Sequence, residues 1–165
     1  MQIEKYIRIQ AIICAIINIL VNPALSWLVN RKMEFMPLWG ENCIVVDTAI
    51  TLIIMPLLVA LFTAAGVRKA LKNGQFAADA GFPRAGYLLS RLPENAWGLG
   101  IMIGLGSVLV FLPLTLGLFH VLGISGLLFA EFALFKAFYT GSLAFLVTRW
   151  VIIRQLKSVT QASTA

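Results

Sequence analysis

The sequence predicts an all-α integral membrane protein: a four-transmembrane-helix antiparallel bundle with both termini cytoplasmic. Three observations carry that expectation. Four apolar runs are each long enough to cross a hydrocarbon core of ~30 Å. Of the 165 residues, 60% are hydrophobic and 12% charged, with a mean hydropathy of +0.91, whereas soluble domains carry about a quarter charged residues. The basic residues, finally, fall unequally on the two sides of the runs. Composition excludes a soluble domain, and the polar segments are too short for a second folding unit. Residues 1–165 therefore read as a single membrane domain.

The spans fall at about 7–28, 44–65, 97–119 and 127–150. Helices are expected throughout, because the runs lack the two-residue alternation of barrel strands and a helix satisfies its own backbone groups in lipid. Lys5, Arg8, Arg68, Lys69, Lys72, Arg84, Arg91, Arg149, Arg154 and Lys157 share one side, and only Arg31 and Lys32 the other. The positive-inside rule then makes the termini and the central segment 72–96 cytoplasmic, with a bacterial cytoplasmic membrane as the expected location. Tyr6, Tyr87, Trp97 and Trp150 mark the inner boundary, Trp27 and Trp39 the outer one, as interfacial belts do. The net charge of +6 is spread along loops and helix ends, so it orients the chain in lipid and gives no nucleic-acid surface.

Span one begins like a signal peptide, but it runs for about 22 residues without a clear A-x-A site and is expected to be retained. Asn18 and Asn22 lie within about 40° on its helical wheel, and Ala11 and Ala15 extend the same face, which should point inward. These asparagines read either as glue between helices or as substrate contacts. Cys14 and Cys43 lie at depths too different for a disulfide. Two cysteines and one histidine make no metal motif, and no cofactor is expected. The outer loop 29–43, with Pro37, Trp39 and Gly40, is an interfacial loop or a cover across the bundle mouth.

Span two carries Asp47, Thr48 and Thr51. In the cytoplasmic segment after it, Arg84, Tyr87, Leu88, Leu89, Arg91 and Leu92 suit a short surface helix resting in headgroups or docking a partner. Gly100-x-x-x-Gly104 in span three allows close approach within the bundle or across a homodimer. The short glycine-bearing turn 120–126 makes spans three and four expected neighbours. Pro23, Pro56 and Pro113 each remove one helical hydrogen bond, which membrane helices tolerate. Each half thus reads as a proline-bearing helix followed by one with an acid near its outer end, a faint parallel repeat of the kind some transporters use.

Charge inside lipid is costly and marks function by default. At ~1.5 Å per residue, Asp47 and Glu131 lie about 5–7 Å from the outer boundary, and Lys136 and Asn18 about 14–16 Å. Lys136 is too deep to snorkel with ease, so it needs an acceptor from another helix. Glu131, five residues away, lies on a different face. The expectation is an outward-facing polar pocket around Asn18, Asn22, Asp47, Thr51, Glu131, Lys136, Tyr139 and Thr140. Such a pocket suits a transporter-like or ligand-binding protein for a small anionic or zwitterionic molecule, or a proton relay. Membrane lipids are expected partners, with a homo-oligomer or larger complex if the protein transports.

Two alternatives stand beside this. An accessory or assembly subunit of a larger membrane complex would keep Lys136 dry and fully paired. A lipid- or quinone-active enzyme would open its pocket sideways to lipid. Catalysis has little support, since no nucleophile adjoins a base and no histidine pair, C-x-x-C or phosphate loop occurs.

Overall fold

The computed structural model describes residues 2–76 and 91–163, with side chains described as far as Lys157. Six elements follow one another: α1 (Ile3–Asn30), β1 (Phe35–Pro37), α2 (Ile44–Lys72), α3 (Ala96–Val121), β2 (Gly126–Leu128) and α4 (Phe129–Ser163). All four helices are long and apolar enough to cross a membrane. The chain is an integral, multi-pass membrane protein. Most of the segment for which a surface helix is expected lies outside the described residues; Arg91 and Leu92 lie in a turn and a bend.

Helix limits follow local chemistry. Asn95 caps α3 by accepting from the Gly98 N–H at 2.5 Å. After α2 and α3 the chain turns on Gly74 (φ 61°) and Gly123 (φ 66°). In each turn the glycine N–H and the next N–H return to helix carbonyls, Leu71 and Ala70 in one case and His120 and Phe119 in the other. This left-handed closure favours glycine because a Cβ is penalised there. Pro23, Pro56 and Pro113 all lie inside continuous helices.

Three helices run past their expected membrane limits for a packing reason. Ile3, Tyr6 and Ile7 of α1, Val67 and Ala70 of α2, and Ile152 and Leu156 of α4 bury one another in a small core beyond the spans. Arg154 adds a tie, donating from Nε to the Leu92 carbonyl at 2.9 Å and pairing with Glu94 at 3.3 Å.

At the opposite end, residues 126–128 are a strand, where the sequence suggested a turn ending at 126 and helix from 127. β2 pairs antiparallel with β1, Met36 facing Leu127. The loop 29–43 is thereby sewn to the α3–α4 turn. Met36 is fully buried with Leu38, Ile44, Phe119 and Phe132 beneath it, so this loop forms a packed lid over that end.

The helices do not associate as chain order suggests. α1 packs along α4, α3 packs along α2, and α2 meets α4, whereas α3 and α4 barely touch despite their short connection. The glycines of span three explain this correction. A Cβ on Gly100 would stand 2.8 Å from the Leu57 Cα, and one on Gly104 3.1 Å from the Ile53 carbonyl oxygen. Their bare faces draw α3 onto α2, so the small-residue motif serves contact inside the chain. Leu52, Met55, Leu99, Ile103, Val147 and Val151 are among the buried residues of the resulting central core.

Candidate functional site

Because α1 and α2 each lean on another helix, they leave a cleft of about 560 Å³ between them, with Lys136 of α4 on its lining. Its walls are the apolar flanks of the two helices, including Ile17, Val21 and Leu25 from α1 and Ile50, Ile54 and Leu58 from α2. Most of these side chains remain exposed. Helices that cross the membrane side by side with a gap between them open that gap sideways to the hydrocarbon.

Lys136 has a side chain only 7% exposed. It donates to Asp47 Oδ2 of α2 and to Ser26 Oγ of α1, each at 2.5 Å. Ser26 in turn donates to Asp47 Oδ1 at 3.2 Å. The Phe132 ring adds a face 5.8 Å from the ammonium, within cation–π range. Helical side chains lean toward the N-terminus of their helix, and α4 begins at the β-ladder end, so Lys136 reaches up to the level of Asp47. Three helices thus meet in one knot of charge near the ladder end of the cleft.

Below the knot the polar face of α1 continues. Asn22 Nδ2 donates to Asn18 Oδ1 at 2.8 Å, and Asn18 Nδ2 donates to the Cys14 carbonyl at 2.8 Å. These amides bond within their own helix; the link between helices is Thr140 Oγ1, 3.2 Å from the Asn18 carbonyl oxygen and 2.7 Å from that of Lys136. Thr51 lines the same cleft. Cys14 and Cys43 are free thiols.

Of the eight candidate residues, Glu131 and Tyr139 lie elsewhere. Both line a second groove of about 690 Å³ between α3 and α4. Glu131 accepts from the Leu128 N–H at 3.0 Å, which caps the start of α4, where a carboxylate also meets the positive end of the helix dipole. Tyr139 stacks on Phe135 with ring centroids 5.7 Å apart. The single polar column expected from depth is therefore split, because depth along a helix says nothing of azimuth until the neighbours are known.

Ser26 was not among the expected residues, yet it continues a four-residue series: Asn18, Asn22, Ser26 and Asn30. Asn30 repeats the local bond, donating to the Ser26 carbonyl at 3.2 Å. Extending the spacing by one turn finds the serine. Its position beside Lys136 invites comparison with a serine–lysine nucleophile, but the polarity is wrong. The hydroxyl donates to a carboxylate and accepts from an ammonium already paired with that carboxylate, whereas nucleophilic serine must give its proton to a free base. Among the described residues, no three His, Cys, Asp or Glu side chains gather as metal ligands. Compared with protein-family models, curated proteins and solved structures, the chain matches none.

Proposed function

We propose that the chain is an antiparallel four-helix bundle of a bacterial cytoplasmic membrane, both termini inside, that binds a small anionic or zwitterionic molecule at Lys136. The observation carrying this reading is a buried ammonium, held from two other helices, on the lining of an accessible cleft. Lys136 spends two of its three N–H donors on Ser26 and Asp47, leaving one for a ligand. Asp47, 21% exposed in its side chain, keeps acceptor capacity beside it. The basic residues of the terminal end support the inward orientation. A transporter-like role fits if the knot opens and closes with occupancy, four spans enclosing enough volume only together with a second copy or partner.

The test is binding of small phosphate-bearing, carboxylate and zwitterionic compounds to the detergent-purified protein, read by calorimetry. Binding to the wild type that disappears in Lys136→Met is the expected result. Unchanged binding in a less stable Lys136→Met protein defeats the proposal.

An accessory-subunit reading is favoured by one feature, the apolar window of α1, of which only 6% of residues are buried. Co-purification of another membrane chain that is lost on polar substitution of Ile9 and Ile16 supports that role.

A further inference from the structure

Most of the apolar side chains lining the cleft are exposed along both helices, and its polar chemistry is of a kind that selects among lipids. We propose that it holds one phospholipid of the ladder-side leaflet by a zwitterionic headgroup with a primary ammonium, of the phosphoethanolamine class, with an acyl chain laid between α1 and α2. This rests on the ligand-site reading above and names its ligand.

The trough fits a chain. From Asp47 to Thr63, both on its lining, α2 advances on the order of 24 Å at 1.5 Å per residue. That length exceeds the ~15 Å of one hydrocarbon leaflet, so a chain anchored at the knot runs its full length against protein. The volume of about 560 Å³ lies within the ~300–1,000 Å³ usual for ligand sites.

Charge complementarity decides the headgroup. The Lys136–Asp47 pair is neutral as a unit, with one unused N–H on the ammonium. The carboxylate has about four lone-pair sites, and Lys136 and Ser26 take one each. A phosphate facing the ammonium and a primary ammonium facing the carboxylate match both vacancies at once. A purely anionic headgroup can take the ammonium's remaining N–H but offers no donor to the open lone pairs of Asp47. A quaternary choline has no N–H to give. Since one charge-assisted hydrogen bond separates the amine headgroups, the discrimination is on the order of tenfold or more.

The experiment offers the purified full chain an equimolar mixture of phosphatidylethanolamine, phosphatidylcholine and phosphatidylglycerol with matched acyl chains, and reads retained lipid by native mass spectrometry. One retained phosphatidylethanolamine, about tenfold over the other two, is the expected result, with preference lost in Asp47→Asn. Should Asp47→Asn fail to fold, Ile54→Trp fills the trough wall away from the ion pair and must lose the retained lipid. Equal retention of the three headgroups, or full retention in Ile54→Trp, overturns the proposal. Soluble glycerophosphoethanolamine separates the two levels of inference. If it binds in a Lys136-dependent manner while no lipid is retained, the lipid assignment falls and the ligand site stands; if neither binds, both fall.

Discussion

Removing Lys136 and Asp47 singly and together separates what the ion pair does for stability from what it does for binding. In Lys136→Met, Asp47, 21% exposed in the native protein, is left with the Ser26 bond; in Asp47→Leu, an ammonium 7% exposed in the native protein is left with Ser26 and the Phe132 ring. Breaking one partner of a buried pair costs ~3–5 kcal/mol because the other charge is left without compensation. The more deeply buried ammonium puts Asp47→Leu at the upper end of that range. Replacing both partners by apolar residues of similar size is often close to neutral, so the double variant should lie within about 1–2 kcal/mol of the wild type. At ~2–4 °C per kcal/mol, each single variant melts roughly 6–20 °C lower and the double recovers most of the loss. Thermal unfolding in detergent, followed by tryptophan fluorescence, measures this. Ligand binding, by contrast, should be absent from Lys136→Met and from the double variant. A double variant that melts as low as the sum of the singles would falsify the buried-pair account. A double variant that keeps ligand binding removes Lys136 from the site.

Other elements give sharp contrasts. Gly100→Ala must push against Leu57 backbone 2.8 Å away and should destabilise by ~1–3 kcal/mol, whereas Gly106→Ala, with nothing within 4 Å, should be neutral or gain up to ~1 kcal/mol in helix propensity; the two melting temperatures decide. Met36→Ala empties a fully buried position under the β-ladder and should lower stability by ~2–5 kcal/mol, a near-unchanged melt showing instead that the lid is not packed in solution. Glu131→Gln keeps an acceptor for the Leu128 N–H and should cost less than ~1 kcal/mol without altering ligand binding at Lys136; loss of binding returns Glu131 to the site.

The spans and the principal ion pair were legible because they depend on one-dimensional quantities. Runs of apolar residues located all four helices, though two extend 7 and 13 residues past their expected ends, and the depth of Lys136 demanded an acceptor from another helix, with Asp47 among the candidates. What was not legible depends on which helices touch. The glycines at 100 and 104 announced a close approach but not its partner, and a short turn suggested that α3 would lie against α4. The β-ladder joins segments some 90 residues apart whose sequences, Phe-Met-Pro and Gly-Leu-Leu, carry no alternating pattern. Glu131 and Asp47 share a depth, and only the packing of α1 on α4 sent them to different clefts. Ser26 was within reach of the four-residue spacing already visible in Asn18 and Asn22.

The packing also gives physical content to the faint repeat of the two halves. Exchanging the first hairpin with the second carries the α1–α4 contact onto the α3–α2 contact and leaves α2–α4 in place. The antiparallel β1–β2 pair, centred on Met36 opposite Leu127, maps onto itself under the same exchange, as strands lying across a two-fold axis must. Each hairpin is splayed around a cleft, and each cleft has one acid near its ladder end, Asp47 in the first and Glu131 in the second. The halves part at Lys136. It leans from α4 into the first cleft and gives Asp47 a cation, while Glu131 turns to a backbone N–H at the start of its own helix. One architecture thus yields a charged cleft and an apolar one, which is why the ligand proposals attach to the first and not to the second, larger groove.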